Sequence, residues 1–478
     1  MRVLLLVPPP SLEPPLARPR HAPHYSAIVA AALQRIGHDV VVQDAALETF
    51  ALSPILAAAR RAEPDVALLC HSDYNRKHAP DTLARVGRGL RDILPGVPLA
   101  LYGRLDAAHA EGALAELPVI SVCLFGEPDV TVSAWVAALP GEGDAESREA
   151  LAAAQVDGAV WRADEHFASR PAVPPELDES PVPAWDLVPI GSYAFSPHQQ
   201  AADLVYPVLA SRGCPYPCFY CEVRARPRYI ARSVDSVITE LRALRDRFGA
   251  RSVFMADPTF AIDKAWTLEF CDRLLALGWG DFRWSCMSRT DRVDDELLQA
   301  MAEAGCWNIL FGIESLNPDA LEGASKALDP ATVAPAIAAA KRAGIETIAS
   351  VMIGLPGDTP AGVERTVDQI IAMEPDFAQF FVLQIDAGEA PDGGRFLSDW
   401  TGAKHDFWGK VYAPESFDDV AQLEALRRRA FRRFYLRPRY VKGRLVALAR
   451  SGEPVAQLTR AARGGLLALR MAVGQRIG

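Results

Sequence analysis

The segment Arg212-Gly213-Cys214-Pro215-Tyr216-Pro217-Cys218-Phe219-Tyr220-Cys221 carries three cysteines in the spacing C-x3-C-x2-C. Thiolates are metal ligands, and three in one short loop can converge on a single site. A structural zinc site takes four ligands, usually from two separated pairs. Here no second pair exists and no histidine lies nearby in sequence. An iron–sulfur cubane also normally takes four cysteines, so three would leave one iron open. An open iron at the mouth of a barrel is a catalytic arrangement. The other five cysteines, Cys70, Cys123, Cys271, Cys286 and Cys306, sit beside apolar residues and read as small buried side chains. Eight cysteines in 478 residues make no disulfide framework.

The loop needs a scaffold, and from about residue 200 strand and helix patterns alternate. Strands are expected at Val205–Ala210, Ser252–Met255, Arg283–Met287, Trp307–Phe311, Glu346–Met352 and Phe377–Leu383, each followed by a helical stretch. Six such units are too few for a closed eight-fold barrel and predict a partial (β/α)6 TIM barrel, open on one side. Ligands sit at the C-terminal ends of such strands. Those ends carry Met255-Ala256-Asp257-Pro258, Ser288-Arg289-Thr290, Gly312-Ile313-Glu314-Ser315 and Ile353-Gly354-Leu355-Pro356-Gly357.

Residues 1–140 show the same alternation, opening on the buried-strand run Arg2 to Val7, and predict a doubly wound, Rossmann-like α/β domain. Residues 141–198 are polar and Pro-rich and read as a linker. The barrel then occupies 199–395, and 396–478 reads as a mostly helical extension. From Ala425 to Gly478 there are 14 Lys and Arg against one acid, so the rest of the chain carries −23 against an overall −10. Phe431, Phe434, Tyr435 and Tyr440 lie within that basic stretch, which favours packing on the acidic body over nucleic acid or lipid. Half the residues are apolar and 23% are charged, which excludes disordered and collagen-like classes. No apolar run approaches the roughly 18 residues of a bilayer span, and the N-terminus lacks a signal layout, so a cytoplasmic protein is expected.

The cysteine spacing, with aromatic Tyr220 before the last cysteine, resembles the radical S-adenosylmethionine (SAM) enzymes. The resemblance implies a 4Fe-4S cluster on Cys214, Cys218 and Cys221, whose open iron is chelated by the methionine amino and carboxylate groups of S-adenosylmethionine. Reductive cleavage then gives a 5′-deoxyadenosyl radical. Tyr220 is implied as a cofactor-binding residue. Asp257 stands where the family holds the methionine amine, and departs from its Gly-Gly-Glu form. Arg289, beside Ser288, would clamp the carboxylate. Glu314, in a segment similar to the family's Gly-Ile-Glu-Ser, would bind ribose hydroxyls or the amine. Ile353 and Gly354 would offer main-chain groups to adenine.

The N-terminal domain resembles the cobalamin-binding domain of the cobalamin-dependent subfamily. The matching pieces are Val7-Pro8-Pro9-Pro10, Gly37-His38-Asp39-Val40, Pro64-Asp65-Val66 and Gly126-Glu127, together with Arg433-Phe434-Tyr435-Leu436-Arg437-Pro438 in the tail. Pro9, Gly103, Arg104 and Glu127 are thereby implied at the cobalamin site; relatives often have two glycines where Gly103-Arg104 stands. The Asp-x-His-x-x-Gly motif that supplies a lower histidine ligand is absent, and His21 and His24 occupy the right loop without its pattern. The lower face would then be lined by Asp73, Tyr74, Asn75 and Arg76, with the Arg76 cation disfavouring axial ligation and easing methyl transfer.

The function implied is a cobalamin-dependent radical SAM methyltransferase acting on an unactivated centre of a small molecule. It would be a monomer, supplied with electrons by a donor such as flavodoxin or ferredoxin, with no nucleic-acid partner. The alternatives are non-methyl radical chemistry on the same scaffold (cyclisation or ring rearrangement), a lipid or pigment modifier docked on a membrane by the basic tail, and a cobalamin or redox sensor. No motif specifies the substrate.

Overall fold

The computed structural model describes residues 1–9, 12, 22–48, 51–73, 76–77, 80–163, 166–174, 176–193, 204–221, 229–385, 395–398 and 410–450. These residues form two compact units, the first ending by Ala194 and the second beginning at Phe195.

The first unit is one sheet with helices on both faces. Its strands are β1 (Arg2–Val7), β2 (Asp39–Asp44), β3 (Val66–Asp73), β4 (Arg76–Lys77), β5 (Leu99–Gly103), β6 (Val122–Leu124), β7 (Ala159–Ala163) and β8 (His166–Arg170). They run in the order β2-β1-β3-β5-β6-β7-β8, with β4 turned back antiparallel on β3. Pairing is parallel from β2 to β6. Side chains alternate across a strand, and β1 is apolar from Val3 to Val7 because both of its faces are buried there. Val3, Leu5 and Val7 join one core with Val29, Leu33, Val132 and Trp135, whereas Leu4 and Leu6 join a second core with Ile55, Ala59, Val86 and Leu114.

The expected linker over 141–198 is corrected here. Its first part is a helix, Ala145–Ala153, capped by the Asp144 carboxylate on the Ser147 N–H, followed by β7 and β8, which extend the sheet antiparallel. Glu149 on that helix is fully buried and accepts from both Arg91 terminal nitrogens and from the Leu99 N–H, each at 2.7 Å. Strand β8 lies at the sheet edge and shows exposed or half-buried side chains, so it lacks the apolar alternation that marks a strand in sequence.

The second unit is built on six parallel strands in the order β16-β15-β14-β13-β12-β9. They are β9 (Tyr206–Val208), β12 (Ser252–Met255), β13 (Arg283–Ser288), β14 (Cys306–Glu314), β15 (Glu346–Ile353) and β16 (Phe377–Val382); β10 (Ser211–Arg212) and β11 (Ile230–Ala231) form a separate antiparallel pair. Among the described residues β9 and β16 do not pair with each other, so the sheet stays open, as a partial barrel requires. The helices between strands begin and end on side-chain signals. Ser233 accepts from the Ser236 N–H at the start of Val234–Phe248, and Gly249 closes that helix with φ +64°.

A second correction concerns the chain beyond residue 383. Strands β17 (Gln384–Ile385), β18 (Arg395–Ser398) and β19 (Lys410–Ala413) form an antiparallel sheet, so the region after 396 is not helical from its start. Helices Val420–Tyr435 and Pro438–Arg450 follow. Phe431 and Phe434 are buried, with their rings 5.2 and 6.3 Å from that of Phe380 on β16. Arg429 and Arg433 pair with Glu364, Arg433 also with Asp368, and Arg439 with Glu374 at 2.8 Å. The described part of the basic region therefore spends much of its charge on its own unit. Among the described residues no helix is long and apolar enough to cross a membrane.

Candidate active site

The cysteine loop starts directly after β10. The β10–β11 pair ties its two ends together, with Arg212 opposite Ile230. Cys214 and Cys218 are buried and Cys221 half-buried, and none of the three is part of a disulfide. Cys214 Sγ lies 3.7 Å from Thr259 Oγ1, and the Cys221 N–H donates to the Cys218 carbonyl at 3.1 Å. Phe219 and Tyr220 pack against Ala320, Ala324, Leu355, Leu383 and Tyr412. The aromatic pair between the last two cysteines thus anchors the loop across the C-terminal ends of the strands.

Charge around the loop is arranged by the ends of two strands, β13 and β14, and by Lys326 in the turn after helix Pro318–Gly323. Burial pushes the Cys218 thiol up; the Lys326 ammonium, a hydrogen bond from the Tyr220 hydroxyl and the Arg289 guanidinium pull it back. The Tyr220 phenol is raised well above its ordinary value, by burial first and then by Glu314 and Cys218. Glu314, with φ +67°, is buried at the end of β14 and accepts from Lys326 Nζ and Ser350 Oγ, both at 3.5 Å. Burial raises its carboxyl and Lys326 opposes that.

Arg289 sits at the end of β13, but its donors are already engaged. Its Nε and Nη2 meet the two Asp291 oxygens at 2.9 and 2.7 Å, and Nη1 and Nη2 meet the carbonyls of Lys326 and Ala327 at 2.9 and 2.7 Å. The guanidinium also stacks 3.8 Å from the Tyr216 ring. This geometry makes Arg289 a clamp on the cysteine loop and on the 326–327 turn, with little left for the carboxylate expected of it.

Asp257 is fully buried after β12, and its oxygens accept from Ser211 Oγ and the Ala210 N–H at the entry to the cysteine loop. Burial raises its pKa to about 6. Ser288 donates to the Phe260 carbonyl at 2.6 Å. At the end of β15 the Ile353 carbonyl accepts from the Leu383 N–H. Gly354 holds the left-handed φ of +88°, and an added Cβ would press on the Leu423 side chain at 3.1 Å. Lys326, Thr259 and Tyr216 were not singled out by sequence; the only signal for Lys326 was one charge among small residues in Gly323-Ala324-Ser325-Lys326-Ala327.

In the first unit the strand ends bring Arg104 to Glu127, 3.6 Å apart, and over the Tyr25 ring, 4.9 Å from its centroid. The Arg104 guanidinium also bonds the Tyr25 hydroxyl. Pro9 follows β1 and Gly103 ends β5. His24 is buried with its ring edge-on to Trp185 at 5.6 Å. Asp73 pairs through its backbone with Arg76 in the β3–β4 hairpin; Tyr74 and Asn75 lie outside the described residues, as do the side chains of Asp73 and Arg76.

Whether the cysteine loop suits a cluster is a question of its donors. By the chemistry of the donors, three thiols with the Lys326 and Arg289 cations acting on the middle one are a soft, charge-compensated set of the kind an iron–sulfur centre takes. Among the described residues, these cysteines included, no three His, Cys, Asp or Glu side chains are grouped closely enough to hold a metal ion. The loop thus carries its three cysteines on one short segment at the C-terminal end of a parallel sheet.

Comparison with known proteins agrees. Residues 208–370 match the model of the Radical SAM superfamily. The chain carries a radical SAM domain. That domain spans all six parallel strands except the start of β9 and the whole of β16. Over 448 residues the chain is 26% identical to an uncharacterized methyltransferase of Pyrococcus horikoshii, covering 92% of this chain and 93% of that protein. It is 26% identical to the anaerobic magnesium-protoporphyrin IX monomethyl ester cyclase of Synechocystis, covering 79% and 73%. Among solved structures, the cobalamin-dependent SAM radical enzyme OxsB, with aqua-cobalamin and SAM bound, superposes with TM-score 0.65 at 14% identity over 99% of this chain and 72% of its own. The radical SAM methyltransferase TsrM of Kitasatospora setae, with tryptophan and a SAM analogue bound, gives 0.64 at 18% identity over 80% and 73%. The α/β fold of both units is therefore one that cobalamin-binding radical SAM enzymes share.

Proposed function

We propose that this chain is a cobalamin-dependent radical SAM methyltransferase acting on a small molecule. The observation that carries the reading is the three-cysteine loop at the C-terminal mouth of an open parallel sheet, in a chain whose other unit has a doubly wound fold. When bound, a 4Fe-4S cluster supplies the electron that splits S-adenosylmethionine, and cobalamin carries the methyl group. Cys214, Cys218 and Cys221 would hold the cluster, with Tyr220 donating to the Cys218 sulfur. Glu314 would meet S-adenosylmethionine as a buried acceptor at the end of β14. Asp257 would hold the entry of the cysteine loop through Ser211 rather than touch the methionine amine. The loops after β1, β3, β5 and β6, with Pro9, Asp73 to Arg76, Gly103, Arg104 and Glu127, would hold cobalamin, since ligands bind at such strand ends. An external low-potential donor of the flavodoxin or ferredoxin class would supply the electron.

The cyclase relatives favour a second reading, radical chemistry without methyl transfer. One experiment separates the two. Anaerobically purified, cluster-reconstituted protein is incubated with methylcobalamin, trideuteromethyl S-adenosylmethionine and reductant, and products are followed by mass spectrometry. Bound corrinoid with 5′-deoxyadenosine and S-adenosylhomocysteine is the expected result. 5′-Deoxyadenosine alone favours the cyclase-like reading, and no bound corrinoid overturns the cobalamin half. In the same assay the Cys214→Ala, Cys218→Ala and Cys221→Ala variants should each lose cluster iron while still binding corrinoid.

A further inference from the structure

The turn that follows helix Pro318–Gly323 is bent at an energetic cost. Ser325 and Ala327, on either side of Lys326, have φ of +51° and +45°, and neither is glycine. Left-handed non-glycine residues cost of order 1–3 kcal/mol each and persist only where their surroundings force them. The surroundings here are specific. Arg289 bonds the Lys326 and Ala327 carbonyls, and the Ala324 carbonyl accepts from the Phe219 N–H of the cysteine loop at 3.2 Å. The Lys326 N–H returns to the Leu321 carbonyl at 2.9 Å. Gly323 sits so close that an added Cβ would be 2.5 Å from the Pro356 carbonyl oxygen.

The product of this strain is the placement of one ammonium. Lys326 Nζ stands 3.5 Å from Glu314 Oε1, with both side chains only 8% exposed. Glu314 is itself in the left-handed region. Gly312 completes the fit, since a Cβ there would lie 2.9 Å from Glu314 Oε1 and 3.2 Å from Lys326 Nζ. Three left-handed residues, one glycine contact and one arginine clamp therefore converge on a single buried ion pair beside the cysteine loop. A buried ion pair is weak evidence for stability, and this much local strain around one points to a positional role.

We propose that Lys326 is a positioning residue of the active site: it holds the Glu314 carboxylate in place for S-adenosylmethionine and sets a fixed positive charge beside the cysteine loop, whose Phe219 N–H is bonded to the same turn. The inference rests on the radical SAM reading above. Removing the cation should loosen Glu314 and leave the cluster harder to reduce, because no positive charge then offsets the electron it gains.

The test compares reconstituted wild type, Lys326→Met and Lys326→Arg by S-adenosylmethionine binding and by spectroscopic titration of the cluster's reduction potential. Lys326→Met should weaken binding about tenfold, the loss of one charge-assisted contact, and shift the potential negative. Lys326→Arg should restore most of both. Unchanged affinity and potential in Lys326→Met overturn the inference while leaving the radical SAM reading intact. A wild-type chain that assembles no cluster overturns both. Should Lys326→Met fail to fold, Lys326→Gln removes the charge while keeping a hydrogen-bond donor for the buried Glu314 carboxylate. The potential is then read on that variant, and the absence of a negative shift counts against the proposal.

Discussion

Asp257 shows how a residue's position in the sequence and its partners in the fold can point to different roles. It follows a barrel strand, where a ligand contact is expected, yet both oxygens face the start of the cysteine loop. Its folded pKa of about 6 lies above an unfolded value near 3.9. Between those values the native state binds the proton more tightly, so stability falls as pH rises from about 4 to about 6. Asp358, also raised to about 6, acts in the same window. Asp257→Asn should flatten this slope and recover up to about 3 kcal/mol at neutral pH, less whatever hydrogen bond the amide fails to replace. Urea melts of both proteins at pH 4.5 and 7.5 check it, and parallel pH dependence would refute it. Arg289→Lys tests the clamp. Lysine cannot span Asp291 and two carbonyls, so a loss of about 2–3 kcal/mol is expected in the same melts.

At the scale of elements, the barrel strands had clear boundaries in the sequence because each is a short apolar run between helical stretches. The Ser252–Met255 strand was expected and found with the same ends. Strand β8 was missed because the sheet edge it occupies leaves its side chains half in water, and β7, between β6 and β8, because only Ala159 and Val160 of its five residues are buried. The antiparallel β17–β19 sheet was missed because each member is four residues or shorter. Gly305 links helix Asp295–Glu303 to β14 at φ +92°, and an added Cβ would stand 2.6 Å from the Phe282 carbonyl oxygen. Gly305→Ala should therefore destabilise the chain by about 2 kcal/mol or more through the backbone and displace β14 against β13. Chemical denaturation together with cluster retention would measure both effects.

For the whole molecule, two compact units with separate cores imply more than one unfolding step. Phe434 is fully buried, 4.9 Å from the Tyr435 ring and beneath the Arg437 guanidinium at 4.1 Å. Phe434→Ala should cost about 3–5 kcal/mol and lower one calorimetric component while leaving the other in place. A single transition shifted as a whole would contradict that division. The paired arginines of helix Val420–Tyr435 also bear on the membrane alternative, because charges spent on Glu364 and Asp368 are not offered to lipid. Liposome co-sedimentation of the full chain against residues 1–450 tests what the remaining basic residues do, and equal behaviour would remove that alternative.

The sequence alone determined the three-cysteine spacing and the scaffold class. Cysteine spacing is a local property, and alternating strands and helices follow from hydrophobic period, so both survive in a linear reading. It also supplied Glu314 as a candidate, since a strand end is a local feature. What only the tertiary structure decided is how the charges are shared. Arg289, expected at a ligand carboxylate, is bonded in the fold to carbonyls 37 and 38 residues downstream. Lys326 became visible only when a strained turn brought it to Glu314, 12 residues earlier in sequence and on a different element. Pairings of this kind depend on which loops meet at the mouth of the sheet, and no periodicity in the chain encodes that meeting.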